Sequence, residues 1–428
     1  MKTKLKEEKI NGKDELLASY DVSGEELHFC TEYSRDGKVY SIEDVVSNRT
    51  RAIKNHFLEL EDICRKLGFK SIHVICEPTG GYEKTLILVA RKMNFKVSYV
   101  SGEATKKARV IESNDDSKSD NKDKFIVLTL AKMSKTLNCR QLPSAYSRLR
   151  LLGEYYDDAA NNTMRIRTEI SAVKLKLFPD FPFKCSYLYT RAGEALIEKY
   201  GLNPFNITKY SWGYFWQRMK VYLKQPEKEK LLKLYRSAVS IVNYISEAEA
   251  SVSERQLRWL WETYQTSLKR KERLKTELCE LYKTLPEYKS LAKIEKVSDS
   301  LMARLIAETG PLSDFKNSAK ILRYAGLNLR VRQSGKYNGL NKISKKGRAL
   351  LRKVLYQMVF SCLMGEGKIY HENYIRKKET SQTGLIAMVS IMRKALKMIL
   401  GVSKSSIEFD IERVYKDQSE YIKLDLTA

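Results

Sequence analysis

The chain has 428 residues, 43% of them apolar, which is enough for two or three domains with sizeable cores. Lys and Arg number 78 against 52 Asp and Glu, a formal net charge of +26. The apolar share argues against a disordered chain, and the charge balance argues for a polyanionic partner, DNA or RNA ahead of a membrane surface.

In chain order, the opening stretch MKTKLKEEKINGKDE carries charges with no apolar run behind them, so no signal peptide is expected. LLASYDV reads as a strand, EELHFCTEY alternates with period two, and an Asp36–Gly37 turn leads into KVYSI. A long amphipathic helix follows, apolar at Ile53, Phe57, Leu60, Ile63, Cys64 and Leu67, with a cap at Ser47 or Asn48. SIHVICEPT is the next strand, GYEKTLILVARKMN a helix and KVSYVSG a strand, and helical segments from 103 and from 120 close the block. The order βββαβαβα puts a three-strand meander before parallel crossovers. That is the ribonuclease H arrangement, shared by RuvC-type nucleases and many transposases. It places Asp21 on the first strand, Glu77 at the end of the fourth, and Asp120 and Asp123 on the last helix at the same edge.

Residues 146–290 read as mainly helical, beginning with a helix over about 146–177 that stops at the prolines of FPDFPF. Residues 183–226 read as irregular and aromatic-rich. One or two long helices fill about 228–285, and Leu274, Leu278, Leu281 and Leu285 follow a coiled-coil spacing. Helices are expected at about 298–309, 316–325, 344–364 and 383–402, with the Gly- and Asn-rich loop NLRVRQSGKYNGLNK between the second and third. GLIAMVSIMRKALKMILGV is broken by Arg393, Lys394 and Lys397, so it reads as a buried amphipathic helix and no membrane span is expected. The expected fold class is therefore α/β plus all-α. A ribonuclease H/RuvC-like domain covers 1–145, and a helical coiled-coil region with an insertion at about 183–226 covers 146–290. A helical C-terminal domain covers 291–428.

The seven Cys are an odd number with no CxxC pair, which suits reduced thiols of a cytosol. The scattered His read as structural and weigh against zinc. Three constellations carry chemistry. The first is acidic: Asp21, Glu77, Asp120 and Asp123. Carboxylates gathered at a strand edge repel unless a cation neutralises them. An oxygen-only set suits hard divalent cations, and two-metal sites of this kind serve phosphoryl transfer on nucleic acid. Asp120 and Asp123 taken alone equally suit a helix start, and Asp115 and Asp116 in the adjoining polar loop are natural decoys. It is the set of four that points to metal. The second constellation is basic: residues 316–353 hold twelve Lys and Arg and no Asp or Glu. Such a run suits phosphate contact. The third is Ser334, within Arg330-x-Arg332-Gln333-Ser334-Gly335-Lys336. A hydroxyl among cations is able to attack a phosphodiester, although a Ser-Gly pair in a loop is more often only a turn.

These residues resemble the DEDD transposases of the insertion-sequence-110 family, which include bridge-RNA-guided recombinases. The N-terminal likeness runs over Asp21-Val22-Ser23, Glu77-Pro78-Thr79-Gly80-Gly81-Tyr82 and Lys118-Ser119-Asp120-Asn121-Lys122-Asp123. The last is similar to the family's K-T-D-x-x-D-A, with Ser119 for Thr and Lys124 for Ala. The C-terminal likeness runs over Tyr324-Ala325-Gly326-Leu327, Gln333-Ser334-Gly335, Ile343-Ser344-Lys345-Lys346-Gly347 and Leu351-Arg352. One departure stands out: the family's Pro-Gly-Ile-Gly hairpin is replaced by Ile294-Glu295-Lys296-Val297-Ser298-Asp299, while Glu308-Thr309-Gly310 is kept.

The resemblance implies that Asp21, Glu77, Asp120 and Asp123 hold Mg²⁺, with Mn²⁺ as an alternative. It also implies that Ser334 is a nucleophile that leaves a phosphoserine link to DNA. Arg323, Arg330, Arg332, Gln333, Gly335, Lys336, Lys345, Lys346, Arg348 and Arg352 become the expected nucleic-acid contacts. Implied partners are donor and target DNA, a structured bridge RNA and further copies of the chain, as a dimer or tetramer, in a prokaryotic cytoplasm at the nucleoid. The expected activity is that of an insertion-sequence transposase or recombinase. Its rivals are a site-specific DNA invertase of the same lineage, a RuvC-type Holliday-junction nuclease that needs no serine, and a nucleic-acid-binding protein with a decayed acidic site.

Overall fold

The computed structural model describes residues 2–6, 15–113, 120–294, 296–330, 333–334, 337–338, 342–363, 369–380 and 383–405, with backbone alone at 2–6, 112–113, 120–121, 333–334 and 337–338. The chain divides into two compact units, residues 1–141 and 142–428.

The first unit is a mixed seven-stranded sheet. Its strands are β1 (Lys2–Lys6), β2 (Glu15–Val22), β3 (Glu26–Arg35), β4 (Lys38–Ser47), β5 (Ser71–Cys76), β6 (Lys96–Tyr99) and β7 (Leu137–Asn138), ordered β1-β4-β3-β2-β5-β6-β7. β2, β3 and β4 form the expected antiparallel meander, and β5 and β6 add in parallel. The short antiparallel edges β1 and β7 are not legible as strands in the sequence. The helices are α1 (Thr50–Lys66), α2 (Lys84–Lys92), α3 (Gly102–Ser113) and α4 (Asp120–Lys132). Alternation sorts the two faces of the sheet. Leu16, Ala18 and Tyr20 of β2, with Ile72, Val74 and Cys76 of β5, pack against Ile53, Phe57 and Leu60 of α1 and Leu86 and Ala90 of α2. Ile75 turns to the opposite face and packs with Ala108 of α3 and Ile126, Val127 and Leu130 of α4. The sheet is thus covered on both faces, and β5 is buried along nearly its whole length. α1 begins after Arg49, and no side chain caps it. The expected cap, Asn48, instead donates its amide to Ser23 O (2.9 Å) and Tyr82 O (3.0 Å), joining the loops that follow β2 and β5.

The second unit is built on two long helices, α5 (Ser144–Leu177) and α10 (Glu247–Lys283). Thr163 Oγ1 meets Ser267 Oγ at 2.8 Å, and Gly153 lies beside Leu278, so the pair runs antiparallel. Between them in the chain, the stretch read as irregular folds into α6 (Arg191–Tyr200), α7 (Pro204–Thr208) and α8 (Trp212–Tyr222), followed by α9 (Lys228–Ile241). Thr190, Asn203 and Ser211 cap the first three with their side chains. Trp212 and Trp216 stack at 5.9 Å between centroids and pack on a core that includes Phe215, Met219, Leu257 and Trp261. The other end of the α5–α10 pair belongs to a second core, with α11 (Tyr288–Leu291), α12 (Asp299–Thr309), α13 (Ser318–Ala325), α14 (Ala349–Met358), α15 (His371–Thr380) and α16 (Gly384–Lys404). Leu278 and Leu285 are buried in that core beside Tyr146 and Leu149 of α5, so these two positions of the leucine seam are filled within the chain.

Where the family's hairpin would stand, Lys296 adopts a left-handed backbone, φ 64°. Glu295 lies outside the described residues. Among the described residues, no helix is long and apolar enough to cross a membrane.

Candidate functional site

Three of the four expected carboxylates meet on one face of the sheet. Tyr20 pairs with Cys76 in the parallel ladder, so the next residues, Asp21 and Glu77, leave the two strands side by side. Alternation turns both toward α3 and α4, as it does Ser19 and Ile75. Ser19 Oγ donates to Lys124 O at 2.9 Å, which fastens the first turn of α4 beside Asp21. Asp123 sits in that turn and is 3% exposed. Asp120 opens the same helix three residues earlier, but its side chain lies outside the described residues. Asp115 and Asp116 do as well.

Glu77 is held closely. A Cβ added to Gly102, at the start of α3, would fall 2.5 Å from Glu77 Oε1. The carboxylate therefore rests on the helix N-terminus, where the dipole favours negative charge. The loop after Glu77 is tied by an acid the sequence reading passed over. Glu83 is buried and accepts from Thr79 N (3.2 Å) and Gly81 N (2.9 Å). Cys76, next to Glu77, faces the other side, and burial pushes its thiol well up, so it stays protonated and apart from the site. Two more acids on the sheet have their own lysines: Glu43 accepts from the buried Lys124 (3.0 Å) and Glu32 from Lys132. Lys124, which replaces the family's Ala, thus has a structural partner.

A residue that sequence reasoning missed is Arg109 on α3. It forks onto Asp123, Nε to Oδ1 at 2.7 Å and Nη2 to Oδ2 at 2.6 Å. Those hydrogen bonds first, and then the charges of Asp123, Glu77 and Asp21, raise its pKa against the opposing effect of burial. The acidic cluster therefore already surrounds a cation. Its all-oxygen donor set and its Glu77 cradle fit a hard divalent cation. Among the described residues, however, no group of three or more His, Cys, Asp and Glu is arranged to hold a metal ion.

The basic stretch lies in the second unit. Residues read as one loop form two short antiparallel ladders: β8 (Leu329–Arg330) with β11 (Lys342–Ile343), and β9 (Gln333–Ser334) with β10 (Tyr337–Asn338). Ser334 pairs with Tyr337 at the end of the β9–β10 ladder farther from the β8–β11 pair. Its side chain and that of Gln333, together with Arg332, Gly335 and Lys336, lie outside the described residues. The base of the ribbon is a tight double turn. Lys345 N donates to Gly326 O (2.9 Å), and Ser344 N to Asn328 O (2.8 Å). Lys345 itself is left-handed, φ 54°. The expected contacts divide here. Arg348 forks onto the buried Glu308 of the retained Glu-Thr-Gly (2.7 and 3.4 Å). Arg352 donates to Ala325 O and Gly347 O, and Arg330 to Ser344 O. Arg323, Lys345 and Lys346 are exposed. Behind them Lys353 and Arg304 share the buried Asp157, at 2.8 and 2.5 Å.

Two family descriptions match the chain, and no curated protein does. A DEDD transposase family of the IS110 kind, described as Transposase, matches residues 19–179, which include Asp21, Glu77, Asp120 and Asp123. The Transposase IS116/IS110/IS902 family matches residues 288–374, which include the ribbon and Glu308. With the carboxylates gathered on a RuvC-like sheet in one unit and the basic ribbon on a helical second unit, the chain belongs to the DEDD transposases of the IS110 family.

Proposed function

We propose that this transposase cuts and rejoins DNA through a phosphoserine intermediate formed by Ser334, with the acidic cluster as the divalent-cation site. As a member of its family the chain acts on DNA. The observation that carries the reading is the convergence of Asp21, Glu77 and Asp123 around one positive charge. Asp21, Glu77, Asp120 and Asp123 would hold Mg²⁺, or Mn²⁺ in its place. When bound, the ion supplies charge stabilisation at the scissile phosphate. The chain's own residues do the rest. Ser334 Oγ attacks phosphorus, its proton passes to solvent, and an Oγ–P bond replaces the bond to the 3′ oxygen, which leaves as a hydroxyl. In the second half, a 3′-hydroxyl of the exchanged strand attacks the phosphoserine and returns Ser334. Exposed Arg323, Lys345 and Lys346 hold flanking phosphates, together with Arg332 and Lys336, while Arg348 and Arg352 shape the turn beneath them. The twelve cations in 38 acid-free residues support that assignment. A structured RNA guide and assembly into a dimer or tetramer complete the reading. Since Leu278 and Leu285 are taken up internally, assembly falls to the outer faces of α5 and α10, where Leu151, Tyr155, Met164 and Trp259 are exposed.

The test is trapping of protein–DNA adducts on element-end DNA with Mg²⁺. Ser334→Ala should lose the adduct and keep DNA binding, and Asp21→Asn should lower strand cleavage by roughly 10³-fold or more. An alanine variant that still nicks DNA would turn the reading toward a RuvC-type nuclease. Purification with native flanking DNA and sequencing of co-purifying RNA checks the guide: a discrete RNA from the element's flank is expected.

A further inference from the structure

The guanidinium in the acidic cluster is more than a strut between two helices. Asp123 is almost wholly buried and spends both carboxylate oxygens on Arg109. Two half-buried carboxylates, Asp21 and Glu77, lie within the field of the same guanidinium. Carboxylates gathered around one point repel one another, and a cation among them offsets that repulsion. Among the described residues, the nearby Lys124 pairs with Glu43 and Lys132 with Glu32. A bidentate Arg–carboxylate pair is strong enough to compete for Asp123 as a metal ligand. Yet Arg109 keeps a path to water, since its side chain is 17% exposed.

We infer that Arg109 is the resident counter-ion of the acidic site and exchanges with the divalent cation, releasing Asp123 when the cation enters and reclaiming it when the cation leaves. This rests on the reading of Asp21, Glu77, Asp120 and Asp123 as the cation-holding set. Exchange keeps a positive charge among the carboxylates without metal, so they await the ion in place. It also makes cation affinity a difference between two occupants, and removing the internal one must raise affinity for the other. A purely structural Arg109 predicts the reverse: its loss would loosen Asp123 and weaken cation binding.

The experiment is Mn²⁺ binding to the full chain without DNA, followed by loss of the free-ion electron paramagnetic resonance signal, with thermal melting in parallel. Wild type is compared with Arg109→Ala, Arg109→Gln, Asp21→Asn and the Asp21→Asn/Arg109→Gln double variant. Arg109→Gln keeps a hydrogen-bond donor for Asp123 while removing the charge, and it covers the case in which the alanine variant fails to fold. Both Arg109 variants should bind Mn²⁺ on the order of 10-fold tighter. They should also melt lower without metal and recover more on adding it. Unchanged or weaker binding in a folded Arg109 variant, with Asp21→Asn still weakening binding, overturns the exchange and leaves the cation site standing. If Asp21→Asn changes Mn²⁺ binding in neither background, the site itself is wrong and the exchange falls with it.

Discussion

The acidic region of the first unit and the basic region of the second are built by opposite means. In the first, side chains are aimed by a ladder. The Tyr20–Cys76 register and the two-residue period of the strands decide where Asp21 and Glu77 point, and a buried helix turn brings Asp123 to them. In the second, the ladders are only two residues long, and position comes from turns and from charges that neutralise one another internally. Arg348 is held by Glu308, and Arg304 and Lys353 by Asp157. Like charges gather at both places. An arginine stands among the acids, whereas the cations are divided between a partly buried set paired with Glu308 and Asp157 and a set exposed at the surface. A count of charged residues therefore overstates the uncompensated positive charge of the second region and, by omitting Arg109, misstates the electrostatics of the first.

Three substitutions probe that contrast. The largest effect should come from Asp157→Ala. It strands the Arg304 guanidinium in a site where its side chain is 8% exposed, and breaking a buried pair of this kind costs about 3–5 kcal/mol. Chemical denaturation should show the loss in the second unit, with the salt dependence of DNA binding unchanged. A steeper or shallower salt slope would place Lys353 among the phosphate contacts and blur the division between the two sets. Next is Gly102→Ala. Its new Cβ would push Glu77 out of its cradle by the better part of an ångström, and misplacement on that scale costs roughly 100-fold in rate. Strand cleavage should fall by that factor while the melting temperature hardly moves. A large drop in stability instead would make Gly102 a packing residue rather than a positioning one. The smallest effect is Lys296→Gly. Relief of a left-handed lysine should stabilise the second unit by about 1 kcal/mol, read as a rise in the denaturation midpoint. No gain would mean that the contacts of Lys296 offset its backbone cost.

Much of the first region was legible because its signals are local. Period-two alternation located the strands, turn residues ended them, and acids at strand ends and at a helix start followed directly. Arg109 was not legible. It is one of several cations on a weakly patterned helix, and its partner stands across residues 114–119, so nothing in its own neighbourhood distinguishes it. The helices of 185–222 were missed for a different reason. Their caps at Thr190, Asn203 and Ser211 were present in the sequence, but the helices are short and the aromatic density masked their period. The leucine spacing read as a coiled-coil seam places Leu278 and Leu285 against α5 of the same chain, and the identity of that partner is not a local property.

The sequence by itself determined the α/β character of the first unit, the helical character of the second and which acids stand at element ends. Each of these follows from side-chain periodicity and backbone preference over a few residues. Only the tertiary structure decided that Arg109 enters the acidic cluster, that Glu308 and Asp157 take up part of the basic run and that the ribbon bearing Ser334 grows from a double turn. Those outcomes depend on which charges burial forces together, because a buried charge must find a partner wherever in the chain one lies.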